Sequence, residues 1–116
     1  MSDERRQFPR YAVANLHGRL AGRHPFEVVT VSLSGLLLVM RSAPPLGQVF
    51  DLEFTSAGEQ FHAAVRVVFL GEDSTAPRDR RHRVGVAFAQ GPQEEGSALD
   101  RFIRRELNPR SEMESL

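Results

Sequence analysis

Cysteine is absent from the 116 residues, and so are lysine and tryptophan. Without a thiol there is no disulfide, no thiolate metal site and no cysteine nucleophile. Long apolar runs are missing too. The longest, Leu-Leu-Leu-Val-Met at 36–40, falls far short of the roughly 18 residues that a membrane span needs. The first residues, Met1-Ser2-Asp3-Glu4-Arg5-Arg6, are charged with no apolar stretch behind them, so no signal peptide is expected. These absences together predict a cytoplasmic protein with no membrane span. Net charge is missing as well: 15 basic residues balance 15 acidic ones. That balance argues against bulk attraction to nucleic acid or anionic lipid.

Signatures of catalysis are also lacking. The histidines at 17, 24, 62 and 82 stand apart, with no metal-ligand spacing between them. Ser32 and Ser34 have no flanking glycines of a nucleophile elbow and no obvious base partner. Asp51 and Glu53 alternate along a strand and read as its solvent face. No phosphate-cradling loop, dinucleotide fingerprint or HExxH string is present. The expectation is a protein that is not an enzyme and that carries no metal and no cofactor.

What is present is period-2 patterning. Residues 11–20 alternate loosely, with Leu16 and Leu20 opposite His17 and Arg19. Residues 26–33 are β-branched and aromatic, and 36–40 resume after Ser34-Gly35. A glycine at that break suits a bulge or a positive-φ turn. Phe50, Leu52 and Phe54 share one face of the next strand, and Ser56-Ala57-Gly58-Glu59 is hairpin chemistry. Phe61, Ala63, Val65, Val67 and Phe69 then form a second clean face. A long polar loop over 71–82 leads into Val84, Val86 and Phe88. Near the end the period changes: Leu99, Phe102, Ile103 and Leu107 form one helical stripe. Ser97 with Asp100 resembles a capping box, although Pro92 could start the helix a turn or so earlier, and Asn108-Pro109 stops it. The fold class is therefore all-β with one helix, in a single domain. The cheapest closure is an antiparallel barrel or half-barrel plugged by the helix. Residues 1–10 read as an N-terminal arm, 11–108 as the barrel with its helix, and 109–116 as a tail.

Two strings stand out. Arg5-Arg6-Gln7-Phe8-Pro9-Arg10 places an RxxxR pair immediately before the first strand, and Thr30-Val31-Ser32-Leu33-Ser34-Gly35 places TxSxxG where one strand turns into the next. An RxxxR pair alone carries little weight in so Arg-rich a chain, since Arg19/Arg23 and Arg101/Arg105 are others. Order and context supply the weight. Together the strings resemble the PilZ domain, a bacterial receptor module for cyclic di-GMP, marked by RxxxR in an N-terminal arm and (D/N)xSxxG on the barrel. The resemblance covers roughly residues 5–107 and includes Val84-Gly85-Val86-Ala87-Phe88. It implies a six-stranded antiparallel β-barrel with a C-terminal α-helix. It also implies a ligand site of Arg5, Arg6, Arg10, Thr30, Ser32 and Gly35, with Thr30 standing where the family has Asp or Asn.

The chemistry of those side chains suits the implied ligand. Cyclic di-GMP presents two phosphates and two guanines. Arg forks bind phosphate or guanine O6/N7 bidentately and stack on purines. Ser32 offers a hydroxyl, and Gly35 allows close backbone approach. Pro9 discourages helix at Phe8, so the arm reads as mobile until ligand clamps it onto the barrel and re-presents the surface to an effector protein in motility or surface behaviour. Two alternatives stay open. One is a degenerate PilZ adaptor that binds a motility or envelope protein without nucleotide. The other is a small nucleic-acid-binding barrel, against which the neutral charge speaks. The cluster Arg78-Asp79-Arg80-Arg81-His82-Arg83 carries a local excess of three positive charges and could touch phosphate, although a basic cluster in a long loop is usually solvated, so its role stays open.

Overall fold

The computed structural model describes residues 8–107. The strands are β1 (Tyr11–Ala12), β2 (His17–Leu20), β3 (His24–Val31), β4 (Gly35–Met40), β5 (Val49–Ser56), β6 (Glu59–Glu72) and β7 (His82–Phe88). Helix α1 (Ala98–Phe102) runs on into a π-helical turn, Ile103–Leu107. Six strands close on themselves in the order β3-β2-β5-β6-β7-β4 and back to β3, every pairing antiparallel. Closure leaves these six strands no unpaired edge. β1 is the extra strand and pairs with β3 beyond the end of β2.

Alternation puts Leu20, Val28, Leu38, Leu52, Val65 and Val84 inside the barrel, all fully buried. Each contributes about 1.5–3 kcal/mol by leaving water. A five-residue helix is too short to persist on its own. It is held by docking Leu99, Phe102 and Ile103 into the barrel mouth, where the Phe102 ring lies 5.9 Å from Phe54 and Phe54 lies 5.1 Å from Phe61. Its start is fixed by Ser97, whose Oγ accepts from the Asp100 N–H at 3.2 Å. Asp100 answers by accepting from the Gly96 N–H at 2.8 Å. The Ser97 half is the capping box expected from the sequence, whereas Asp100 reaches one residue further back, to Gly96, and the Ser97 N–H donates to the Glu94 carbonyl instead.

Four sequence expectations need correction. Residues 11–20 are two short strands, because Asn15 takes φ +62° and the chain kinks between them. Gly35 does not adopt positive φ, and the irregularity in β3 lies between Val28 and Thr30 instead. The 71–82 loop is shorter than its polarity suggests, since β6 runs to Glu72 and β7 begins at His82. Most consequential is Phe69, which does not join the inward face of β6. A second register shift between Val67 and Phe69 turns it outward, and it is 51% exposed. An extra residue in a strand reverses the facing of everything after it.

Candidate functional site

The two irregularities shape one outer face of the barrel. After the β3 shift, Thr30 faces outward opposite Leu37; Leu37 faces Gly85, and Gly85 faces Phe69. On the other side Thr30 is opposite Ala12 of β1. A continuous row thus crosses five strands, Ala12–Thr30–Leu37–Gly85–Phe69. The neighbouring row is equally small, with Gly35 opposite Ala87. Gly85, Gly35 and Ala87 leave little side chain over β4 and β7 beside Leu37, which makes a shallow basin with Phe69 at one end.

That basin is a cavity of about 530 Å³, within the size range of small-molecule sites. Arg10, Thr30, Ser32 and Ser34 line one side, and Val68, Phe69 and Arg83 line the other. Leu37, Gly85 and Ala87 lie between them. Its charged lining is two guanidiniums, Arg10 and Arg83, with no carboxylate. Among the described residues neither is paired to an acid. Two forked cations in a lining without carboxylates attract anions, phosphates above all.

The turn from β3 to β4 is held by Ser32. Its side chain is buried, and its Oγ accepts from the Ser34 N–H at 3.1 Å and the Gly35 N–H at 3.3 Å. The same hydroxyl lies 2.9 Å from Ser34 Oγ. Ser32 is therefore the internal tie of the turn, and Ser34 is the hydroxyl nearer the solvent side. Gly35 has an equally local reason. An added Cβ there would overlap the Val86 carbonyl oxygen of β7, so only glycine lets the two strands pair at this point.

Of the residues expected at the site, Arg10, Thr30, Ser32 and Gly35 converge on this cavity. Arg5 and Arg6, with the rest of the arm ahead of Phe8, lie outside the described residues. Sequence reasoning did not place Ser34, Leu37, Val68, Phe69, Gly85 or Ala87 at the site. A signal existed for the aromatic: Val67-Val68-Phe69-Leu70 is a four-residue apolar run that breaks the alternation of β6. Arg83 belongs to the basic loop cluster that could touch phosphate, but nothing in the sequence singles it out from Arg78, Arg80 and Arg81. That loop is anchored, with the Arg80 guanidinium paired to Glu27 on β3.

Other depressions suit anions less well. A groove of about 670 Å³ carries Asp51 and Glu53, and a smaller cleft of about 180 Å³ between the helix and the β5–β6 hairpin carries Glu59 with Arg101 and Arg105. Carboxylates there repel phosphate or neutralise the nearby cation. Among the described residues no cluster of His, Asp and Glu could hold a metal ion. No helix among them is long and apolar enough to cross a membrane.

A family model described as the PilZ domain matches residues 4–105. No curated protein and no solved structure matches the chain. The matched stretch runs from ahead of β1 to the closing turn of the C-terminal helix, so it spans the whole barrel and both motif strings, and the chain belongs to the PilZ domain family.

Proposed function

We propose that this protein is a cyclic di-GMP receptor that acts by binding and not by catalysis. The observation that carries the reading is the convergence of Arg10 with the Thr30–Gly35 turn on one carboxylate-free cavity. Family membership supports it, since PilZ domains are non-enzymatic modules that bind this dinucleotide. Arg10 and Arg6 grip phosphate or the guanine edge through two parallel N–H donors each. Arg5 adds positive charge beside them. Thr30 offers its hydroxyl at the position where the family carries an acid or amide. Ser32 and Gly35 hold the backbone of the turn in place, and Ser34 presents a hydroxyl at its edge.

Signalling then follows from differential affinity. Ligand drawn between the arm and the barrel favours the state in which the two are joined, and an effector protein that reads the joined surface is recruited. In a bacterial cytoplasm such a partner would belong to motility or the envelope. A second reading has one observation in its favour. Thr30 removes the carboxylate of the motif, as befits an adaptor that binds its protein partner without nucleotide.

Isothermal titration with cyclic di-GMP separates the two. The receptor reading predicts saturable binding, weakened about 30- to 150-fold by Arg10→Ala, the equivalent of about 2–3 kcal/mol for a charge-assisted contact. Arg101→Ala, on the far helix, leaves it unchanged. A flat trace at high ligand concentration favours the adaptor. Equal losses at Arg10 and Arg101 would mean that net charge, not a site, is being read.

A further inference from the structure

The two motif strings account for only one side of the cavity. The opposite side is built from β6 and β7, and its form is unusual for a barrel exterior. Val68 and Phe69 both lie in the shifted stretch of β6 and are 54% and 51% exposed. Phe69 stands at the end of the row that begins with Thr30, so the aromatic and the motif residue share one face with only Leu37 and Gly85 between them.

The strands beneath the Phe69 ring have been cleared of side chains. A Cβ at Gly85 would lie 2.9 Å from Phe69 Cβ, and a Cβ at Gly71 would lie 3.1 Å from its Cζ. Both glycines have ordinary backbone conformations, so conformational need does not explain them. Space for the ring does. The ring therefore lies low along β6 and β7 beside Arg83, which is the cross-strand partner of Gly71. An aromatic face, a flat floor of Leu37, Gly85 and Ala87, and the Arg83 guanidinium, which makes no ion pair within 4.0 Å among the described residues, form a shelf for a planar base joined to a phosphate.

We propose that Phe69 is the stacking platform for one purine base of the bound dinucleotide and that Arg83 holds the same nucleotide by a charge-assisted contact. The inference rests on the cyclic di-GMP reading and supplies the half of the site that lies outside the motifs. Stacking uses the π-face common to all bases, so Phe69 contributes affinity. Arg83, a forked donor, contributes orientation.

Because the chain has no tryptophan, Phe69→Trp introduces a single reporter at the shelf itself. Titrating cyclic di-GMP into this variant should quench the indole saturably, with a midpoint matching calorimetry on the same protein. Val49→Trp, on an exposed position of β5 away from the cavity, should show no change. Phe69→Ala should weaken binding roughly tenfold or more, as the loss of one base–aromatic stack implies. Arg83→Gln should weaken it by a similar factor and flatten its salt dependence. Phe69 is a surface residue, and matching melting curves will show that the variants are folded. If the parent binds while Phe69→Ala binds equally well, or the Phe69→Trp indole stays unquenched, the shelf is refuted and the receptor reading stands. If the parent itself gives no heat, both fall together.

Discussion

Thr30 is where this chain leaves its family's motif, and the geometry makes the departure testable. It faces outward on one side of the basin, half-buried, on the same row as Phe69. A carboxylate there could accept from guanine N1–H and N2–H together or steady an arginine fork; a hydroxyl satisfies only part of that. Thr30→Asp should therefore bind cyclic di-GMP about ten- to a hundredfold tighter, the worth of one charged hydrogen bond. Titration of both proteins checks this, with melting in the absence of ligand as the control, since Asp is a poor strand residue. No gain from a folded variant would point to the adaptor. Gly35 makes the opposite kind of prediction. Its substitution pushes a Cβ into the β7 backbone, so Gly35→Ala should destabilise the protein by about 1–3 kcal/mol, read as a lower melting temperature before any ligand is added. The sequence marks Gly35 as special but not the reason. Neither the bulge nor the positive φ expected there occurs at Gly35, and the need is cross-strand fit, which depends on Val86 of β7, about fifty residues away.

At the scale of elements, period-2 alternation was enough to identify most strands and their inward residues. The C-terminal stripe of Leu99, Phe102 and Ile103 identified the helix and its buried face. What alternation could not show was where it breaks. The shifts in β3 and β6 are properties of pairing, not of composition, so Phe69 was assigned to the core that it does not enter. The helix cap was legible because it is local. It also carries a pH dependence. The Gly96 N–H donating to Asp100 holds its carboxyl below the ordinary value of 3.8, burial opposes this, and Arg104 at 3.1 Å adds to the lowering. A carboxyl depressed in the folded state stabilises it above the unfolded value, and that stability is lost as pH falls through the folded value. Helix docking should weaken on acidification below about pH 4. Melting temperatures of the parent should drop more steeply over that range than those of Asp100→Asn. Parallel pH profiles for the two would remove the cap from the account.

For the whole molecule, closure of the barrel is what makes a site out of distant segments. Arg10 precedes β1, Thr30 lies near the end of β3, Phe69 lies in β6 and Arg83 near the start of β7, yet β4 links them through Leu37 and Gly35. The motif strings revealed the first half of this gathering because their spacing is a family signature. The second half has no string of its own and emerges only when β6 and β7 are paired. The central claim, that this basin is where cyclic di-GMP binds, is tested most directly by mapping backbone amide shifts by NMR during a titration. The account predicts saturable shifts concentrated on Ala12, Thr30, Ser34, Leu37, Gly85 and Phe69, with the β5 groove around Asp51 and the helix around Phe102 left unmoved. Shifts centred on the helix cleft or the Asp51 groove, or no shifts at saturating ligand, would contradict it.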